Sequence, residues 1–176
     1  MVKIIKFFGY FVFFLLALVY FMPKISTYYL LEHEILKYKI MLSNEELHDN
    51  GFSLDIENFD IYYNEIESAS VETLNVKIFA LYNSIHVENL VLSSLASSFF
   101  PTKIENLHIS YSIFNPLNIF AKADGEFGNA KANFYILDKN VSVSVMPSNL
   151  MLKEYKPTLQ KMTKQEDGGY RYDKAF

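Results

Sequence analysis

One six-residue phrase returns four times in this chain: Ile56-Glu57-Asn58-Phe59-Asp60-Ile61, Val71-Glu72-Thr73-Leu74-Asn75-Val76, Val87-Glu88-Asn89-Leu90-Val91-Leu92 and Ile104-Glu105-Asn106-Leu107-His108-Ile109. Its starts at 56, 71, 87 and 104 are 15, 16 and 17 residues apart. A β-branched residue, an acid, a small polar residue, a large apolar residue, a variable residue and an aliphatic make strand-forming material repeated at a near-constant step. That pattern points to a stacked or meandering β-architecture rather than a one-piece enzyme core.

The spacing inside the phrase says more than its composition. Apolar residues alternate before it (Phe52, Leu54, Ile56) and after it (Phe59, Ile61, Tyr63), yet Ile56 and Phe59 are an odd number apart. Strand side chains have a period of two, so the phase flips at Glu57-Asn58, and the flip requires a two-residue hairpin or a β-bulge. The same flip falls between Val71 and Leu74, Val87 and Leu90, and Ile104 and Leu107. Two-residue hairpins favour Asn-Gly or Asp-Gly, which Glu-Asn and Glu-Thr match poorly. The expectation is therefore a bulge, repeated so that each unit bends the sheet in one sense and leaves a concave apolar face. An ordinary antiparallel sandwich of four similar strands is the competing architecture.

The N-terminus sets the relation to a membrane. Between Phe7 and Met22 there is no charge, and eight of these sixteen residues are Phe or Tyr. Residues 4–22 as a helix would be roughly 28 Å long, close to the thickness of a hydrocarbon core of about 30 Å. The run is long for a signal peptide and lacks a small-x-small cleavage site before Pro23-Lys24, so a retained anchor is expected. Lys3 and Lys6 precede the span and Lys24 follows it. The positive-inside rule then puts the short N-terminus in the cytoplasm and everything beyond Pro23 outside it. The expected organisation is a cytoplasmic N-terminus and transmembrane anchor over 1–24 and one β-rich exported domain over 25–176.

Further elements follow from local signals. A short juxtamembrane helix is expected from Ile25 to about Tyr38, capped by Ser26-Thr27, with Lys37 to Leu42 alternatively a first strand. Asn50-Gly51 is the clearest turn, and Ser93 to Pro101 reads as a loop with an apolar tip. Asn115-Pro116 interrupts the strand material of Tyr111 to Ala123. Asp124-Gly125 and Gly128-Asn129 bracket a turn, and Ala132 to Leu137 with Val141 to Val145 makes a last hairpin. Ser148 or Asn149 caps a helix toward Lys164, kinked or restarted at Pro157, and Gly168-Gly169 ends it before a short aromatic tail from Tyr170 to Phe176. The fold class is thus mainly β with flanking helices: an N-terminal transmembrane helix, a curved, repeat-built antiparallel sheet and a C-terminal helix.

These features together resemble one family. The aromatic-rich anchor, the flipped strand repeats, the Asp124-Gly125-Glu126-Phe127-Gly128 turn, the Met146-Pro147-Ser148 helix start and the closing Asp167-Gly168-Gly169-Tyr170 look like the type II secretion system protein N family and, more broadly, AsmA-like envelope proteins. The resemblance implies a single-pass inner-membrane protein with its C-terminal domain in the periplasm, and a non-enzymatic role in secretion or envelope assembly. It brings no catalytic residues with it.

The residues themselves offer little chemistry. The net charge is −4 and Arg171 is the single arginine, so no basic stripe suits nucleic acid. Zero cysteine removes disulfides, thiolate metal sites and a cysteine nucleophile. His33, His48, His86 and His108 are far apart in sequence and none stands in a metal-ligand spacing. Glu32 and Glu34 around His33 read as an interfacial segment, and Glu45-Glu46 with Asp49 as a solvated turn. A ladder of Glu57, Glu72, Glu88 and Glu105 would bind cations, but charges at bulges also serve to discourage strand addition. Asp138-Lys139-Asn140-Val141-Ser142 contains an extended Asn-x-Ser glycosylation acceptor. No GxSxG, Walker A or GxGxxG is present. No catalytic, cofactor-binding or metal-ligating residue is expected, no cofactor, and three partners: the inner membrane through residues 4–22, an envelope or secretion-system protein, or a lipid. A continuous aliphatic and aromatic groove would favour lipid, and a filled core with an apolar edge patch a protein.

Overall fold

The computed structural model describes residues 2–79, 81–95, 97 and 99–175. Two helices open the chain, α1 (Val2–Phe21) and α2 (Lys24–Leu36), separated at Met22-Pro23. Proline removes a backbone donor and fixes φ, and so ends one helix and starts the next. The expected Ser26-Thr27 cap is displaced: both lie inside α2, whose N-cap is Pro23, and Thr27 Oγ1 donates to the Pro23 carbonyl at 3.0 Å.

Eleven strands then form one antiparallel sheet. They are β1 (Ile40–Ser43), β2 (Glu46–Asp49), β3 (Ser53–Tyr63), β4 (Ile66–Ile78), β5 (Tyr82–Leu92), β6 (Lys103–Ser112), β7 (Asn118–Gly125), β8 (Gly128–Tyr135), β9 (Asn140–Pro147), β10 (Thr163–Lys164) and β11 (Tyr170–Ala175). Between β9 and β10 lie the short helices α3 (Asn149–Glu154) and α4 (Lys156–Leu159). From β3 to β9 the sheet is a meander of consecutive neighbours; β1 and β2 both pair with β3, and β11 adds to β9 with β10 outside it. Three elements correct the expectations. Glu46 and Asp49 belong to a strand rather than a solvated turn. Ser148 does cap α3, accepting from the Met151 N–H at 3.2 Å, but helix ends at Leu159 rather than near Lys164. The aromatic tail is a full strand, paired from Tyr170–Val145 to Ala175–Asn140.

Each repeat phrase lies inside a single strand, β3, β4, β5 or β6, which rules out the hairpin. The flip takes a form other than four independent bulges. Glu57–Thr73 and Phe59–Val71 are paired in unchanged register, so Asn58 and Glu72 face each other across the kink. Glu72 and Asn89 are matched in the same way between β4 and β5, as are Asn89 and Glu105 between β5 and β6. Asn58 and Asn89 take up the bend in the left-handed region, at φ 54° and 49°, which asparagine tolerates better than most residues. Along this line of kinks a two-against-one bulge appears against β7, which has no counterpart, at Glu105; a separate register shift lies between Ile61 and Tyr62, outside the kink. Because the kinks are matched, apolar residues on both sides of them share one face.

That face carries two buried clusters. Leu54, Ile56, Phe59, Val71 and Val87 pack with Tyr28 of α2, and Ile61, Leu74, Val76, Ile85 and Leu90 support them. Phe127, Met151 and Leu159 form the second cluster under α3 and α4. Burying each large apolar side chain contributes about 1.5–3 kcal/mol.

Two pairs of substitutions check this arrangement. Val76→Asp places an unpaired charge beside the first cluster and should cost several kcal/mol, whereas Glu72→Lys on an exposed position should stay within about half a kcal/mol; equal shifts of the thermal midpoint would overturn the face assignment. Asn58→Val should cost about 1–2 kcal/mol because a β-branched residue resists φ near +54°, while Asn58→Gly should leave stability unchanged or raise it.

Candidate functional site

Most of the apolar face is covered, and the part that is not forms the candidate site. β7 and β8 read Ala121-Lys122-Ala123 and Ala130-Lys131-Ala132, and the pairs Ala121–Ala132 and Ala123–Ala130 are directly opposite. The four alanines therefore line the apolar face while the lysines point to the other. On one side of them stand Leu107 and Ile109 of β6, paired with Ala123 and Ala121. On the other stand Val143 and Val145 of β9, paired with Ala132 and Ala130. Small side chains between taller walls make a trough. At the β6–β7 turn end, Tyr111, Ile119, Phe134 and Val141 continue the same face in register, belong to neither buried cluster and include the 38%-exposed Phe134.

At its other end the trough runs under α3 and α4. There it deepens into a cavity of about 450 Å³ lined by Phe100, Ile104, Phe127, Val145, Met151 and Met162, with Lys161, Thr158 and Tyr172 at its polar margin. Thr158 Oγ1 donates to the Phe99 carbonyl and so ties α4 to the loop before β6. Methionine and aromatic walls with few polar groups suit an adaptable apolar ligand.

The opposite face is polar across nine strands. Its central row runs His48, Asp55, Asn75, His86, His108, Lys122, Lys131, Ser144 and Arg171, each directly paired with the next. His86 and His108, distant in sequence, thus become neighbours with ring centroids 5.9 Å apart; His86 Nε2 lies 3.1 Å from Glu88 Oε1, and Tyr82 Oη 3.4 Å from His108 Nε2. Glu46, His48 and Glu57 also meet, with one donor atom of each within 4.8 Å of the others. Glu46 and His48 are exposed, and among the described residues no fourth such donor joins them. The acids of the repeat do not form the ladder that their spacing suggested. In an antiparallel meander the Glu-Asn order is read in opposite directions on neighbouring strands, so Glu57 faces Thr73, Glu88 faces Asn106, and Asn89 Nδ2 donates to Glu72 Oε2 at 2.7 Å. Asn140 of the Asn-x-Ser acceptor is not in an open loop: it starts β9 and pairs with Tyr135 and Ala175, while Ser142 is buried.

Where α1 gives way to the sheet, the chain builds a tight polar junction. Lys24 is buried, and its ammonium lies 3.1 Å from Asp49 Oδ1 and 3.4 and 3.3 Å from the Tyr20 and Met22 carbonyls. Asp49 also accepts the Gly51 N–H at 2.9 Å. This backbone hydrogen bond first, and the Lys24 ammonium after it, hold the Asp49 carboxyl below its ordinary value of 3.8. Gly51 has φ +77°, and a Cβ there would overlap the Tyr20 ring, so the turn needs glycine on two counts. Tyr28, nearby on α2, is buried and among the described residues its hydroxyl has no hydrogen-bond partner; burial, then the charges of Glu45 and Glu32, push its phenol above the usual range.

The sign of the Asp49 effect is testable. A carboxyl with a depressed folded pKa stabilises the fold above its unfolded pKa and loses that contribution as pH falls through the folded value. Asp49→Asn should therefore lower the thermal midpoint at pH 7, and the gap from the natural chain should close as pH drops below about 4; a gap that persists at pH 2 would remove Asp49 from this role.

Sequence reasoning missed the trough, although the Ala-Lys-Ala alternation at 121–123 and 130–132 was its visible signal. α1 is the one helix among the described residues long and apolar enough to cross a membrane, over Lys3–Phe21, and none of that stretch is buried by the rest of the chain. Compared with protein-family models, curated proteins and solved structures, the chain gave no match.

Proposed function

We propose that this protein is a non-enzymatic, membrane-anchored module that holds the acyl chain of a lipid in the trough of its sheet. The observation that carries the reading is the alanine-floored apolar strip leading to the 450 Å³ cavity under α3 and α4. Each methylene moved from water into such a site contributes about 0.8 kcal/mol, so a long chain bound along the strip gains substantially without any specific polar contact. The asymmetry of Lys3 and Lys6 before α1 supports an inner-membrane protein with a cytoplasmic N-terminus and a periplasmic domain. That placement, and the resemblance to type II secretion protein N and AsmA-like proteins, agree with lipid handling in the envelope.

A second reading is an accessory of secretion or envelope assembly that grips a protein partner. The observation in its favour is the loop between β5 and β6, where Leu95 and Phe99 are 67% and 56% exposed. It lies at the opposite end of the sheet from α1.

Native mass spectrometry of the full chain released from detergent separates the two. The lipid reading expects a co-purifying lipid adduct on the natural chain, and its loss from Val143→Glu, which places a carboxylate on the trough wall while leaving both buried clusters intact. A natural chain that flies free of lipid but bound to another protein, or an adduct that survives Val143→Glu undiminished, would overturn it.

A further inference from the structure

The strand registers bring four loops to one end of the sheet, the end at which α1 arrives. Ser53 is paired with Lys77, Ile78 with Asn83, Tyr82 with Ser112, Asn118 with Tyr135, and Tyr135 with Asn140. The turns β2–β3, β4–β5, β6–β7 and β8–β9 therefore stand side by side, with the end of β11 beyond them. Their tips are apolar in every case: Phe52, Leu81, Phe114, Leu117, Ile136 and Leu137 are all exposed, Phe114 to 81% and Leu137 to 71%. A single exposed leucine is ordinary, but a row of them on successive turns at one end of a sheet is an interaction surface. The turns at the other end carry Asn64, Glu65, Ser93, Ser94, Glu126 and Ser148, together with the exposed Leu95 and Phe99 of the β5–β6 loop.

The row is continuous with the anchor. Tyr20, in the last turn of α1, packs edge-on against Phe52 at 5.3 Å between ring centroids, and Phe52 stacks on Phe79 at 5.8 Å. Lys24 is held by Asp49 immediately beside them. The first two loops of the row are thus fixed to the end of the membrane helix, and the next two follow at the spacing of neighbouring strands. Six strand steps separate β3 from β9, so the row extends about 29 Å from the anchor at about 4.8 Å per step.

We infer that this row of loop tips lies in the interfacial layer of the same bilayer that α1 enters, so that the sheet stands upright on the membrane. The polar residues among the tips set the depth. Irregular backbone cannot enter hydrocarbon without losing its hydrogen bonds, and Asn115, Asp138 and Lys139 need water or headgroups. The Phe and Leu side chains reach the acyl boundary while the loops stay at headgroup level, as the apolar side of an interfacial helix does. In this posture the half-buried residues Tyr111, Ile119, Phe134 and Val141 bring the apolar strip down to the lipid surface. The inference rests on α1 crossing a membrane and is independent of whether the trough carries lipid.

The absence of native cysteine makes single-site labelling unambiguous. The full chain is reconstituted in vesicles of phosphatidylethanolamine and phosphatidylglycerol containing nitroxide lipid labelled both near the headgroup, to report the rim, and near the end of the acyl chain, to report the middle of α1. An environment-sensitive fluorophore is attached in turn to Phe114→Cys, Leu137→Cys and Leu81→Cys, to Glu65→Cys and Ser94→Cys at the opposite end, and to Phe13→Cys within α1. Labels on the rim should be quenched by the nitroxide lipid several-fold more strongly than those at Glu65 and Ser94, and should be shielded from aqueous iodide. Rim labels that behave like Glu65 while Phe13 is quenched would overturn the inference and leave the anchor standing. An unquenched Phe13 label would instead remove the membrane span, and the rim with it.

Discussion

The sheet depends on a geometric constraint: a strand that changes phase in mid-course must be matched by its neighbours, or the ladder of hydrogen bonds breaks. Here β3, β4, β5 and β6 change phase on one line, along Asn58, Glu72, Asn89 and Glu105. The acid-polar dipeptide suits this line from both directions. Read one way it presents an asparagine able to enter the left-handed region, and read the other way it presents a carboxylate able to accept from that asparagine's amide, as Glu72 does from Asn89. Like charges directly opposite one another destabilise a sheet, and among β3 to β6 the alternation sets the acids of the phrase opposite an amide or hydroxyl instead, although Glu57 meets Glu46 on its β2 side. Where the line stops at β7, the unmatched residue Glu105 becomes a bulge, and there the character of the sheet changes from bulky core residues to alanine.

That change separates two parts of one apolar face. On β3 to β5, large side chains meet α2 and are covered; on β7 and β8, Ala123 and Ala130 pack against the second cluster while the small floor of Ala121 and Ala132 leaves a strip open. The junction at Lys24 and Asp49 fixes the covered part to the end of α1, through a buried ammonium whose partners are a carboxylate and two helix-terminal carbonyls. A buried charge left without its partner is costly, so the junction resists swivelling about Pro23. The open part of the sheet is thereby held at a defined attitude to the helix.

Much of this was legible in the sequence, and what was not has physical causes. The four phrases, their phase flip and the exclusion of a hairpin could be read because strand periodicity is rigid and hairpin chemistry is demanding. The matched form of the kink could not be read, since it depends on which strands are neighbours. Neighbourhood also hid the pairing of His86 with His108 and the meeting of Glu46, His48 and Glu57, whose members come from different strands. The tail from Tyr170 to Ala175 reads as irregular because it is polar and aromatic, yet strand β9 offered it a free edge, and tertiary pairing prevailed over weak local preference. The trough was hidden by alanine, which disfavours strands and signals nothing by itself; its meaning comes only from the taller residues that flank it.

The distribution of apolar surface follows from an economy that a water-soluble sheet would not tolerate. One face is apolar and incompletely covered, one end carries exposed Phe and Leu, and the first helix is apolar on all sides; the remaining face is polar from His48 to Arg171. In water each of the first three would be a liability for aggregation. The helix and the first of the loop tips meet at one corner, where Tyr20, Phe52 and Phe79 touch, and a bilayer placed along that end would cover the helix and the loop tips together and close the open end of the strip. The corner built by Lys24, Asp49 and Gly51 is thus what turns three separate exposures into one coherent orientation.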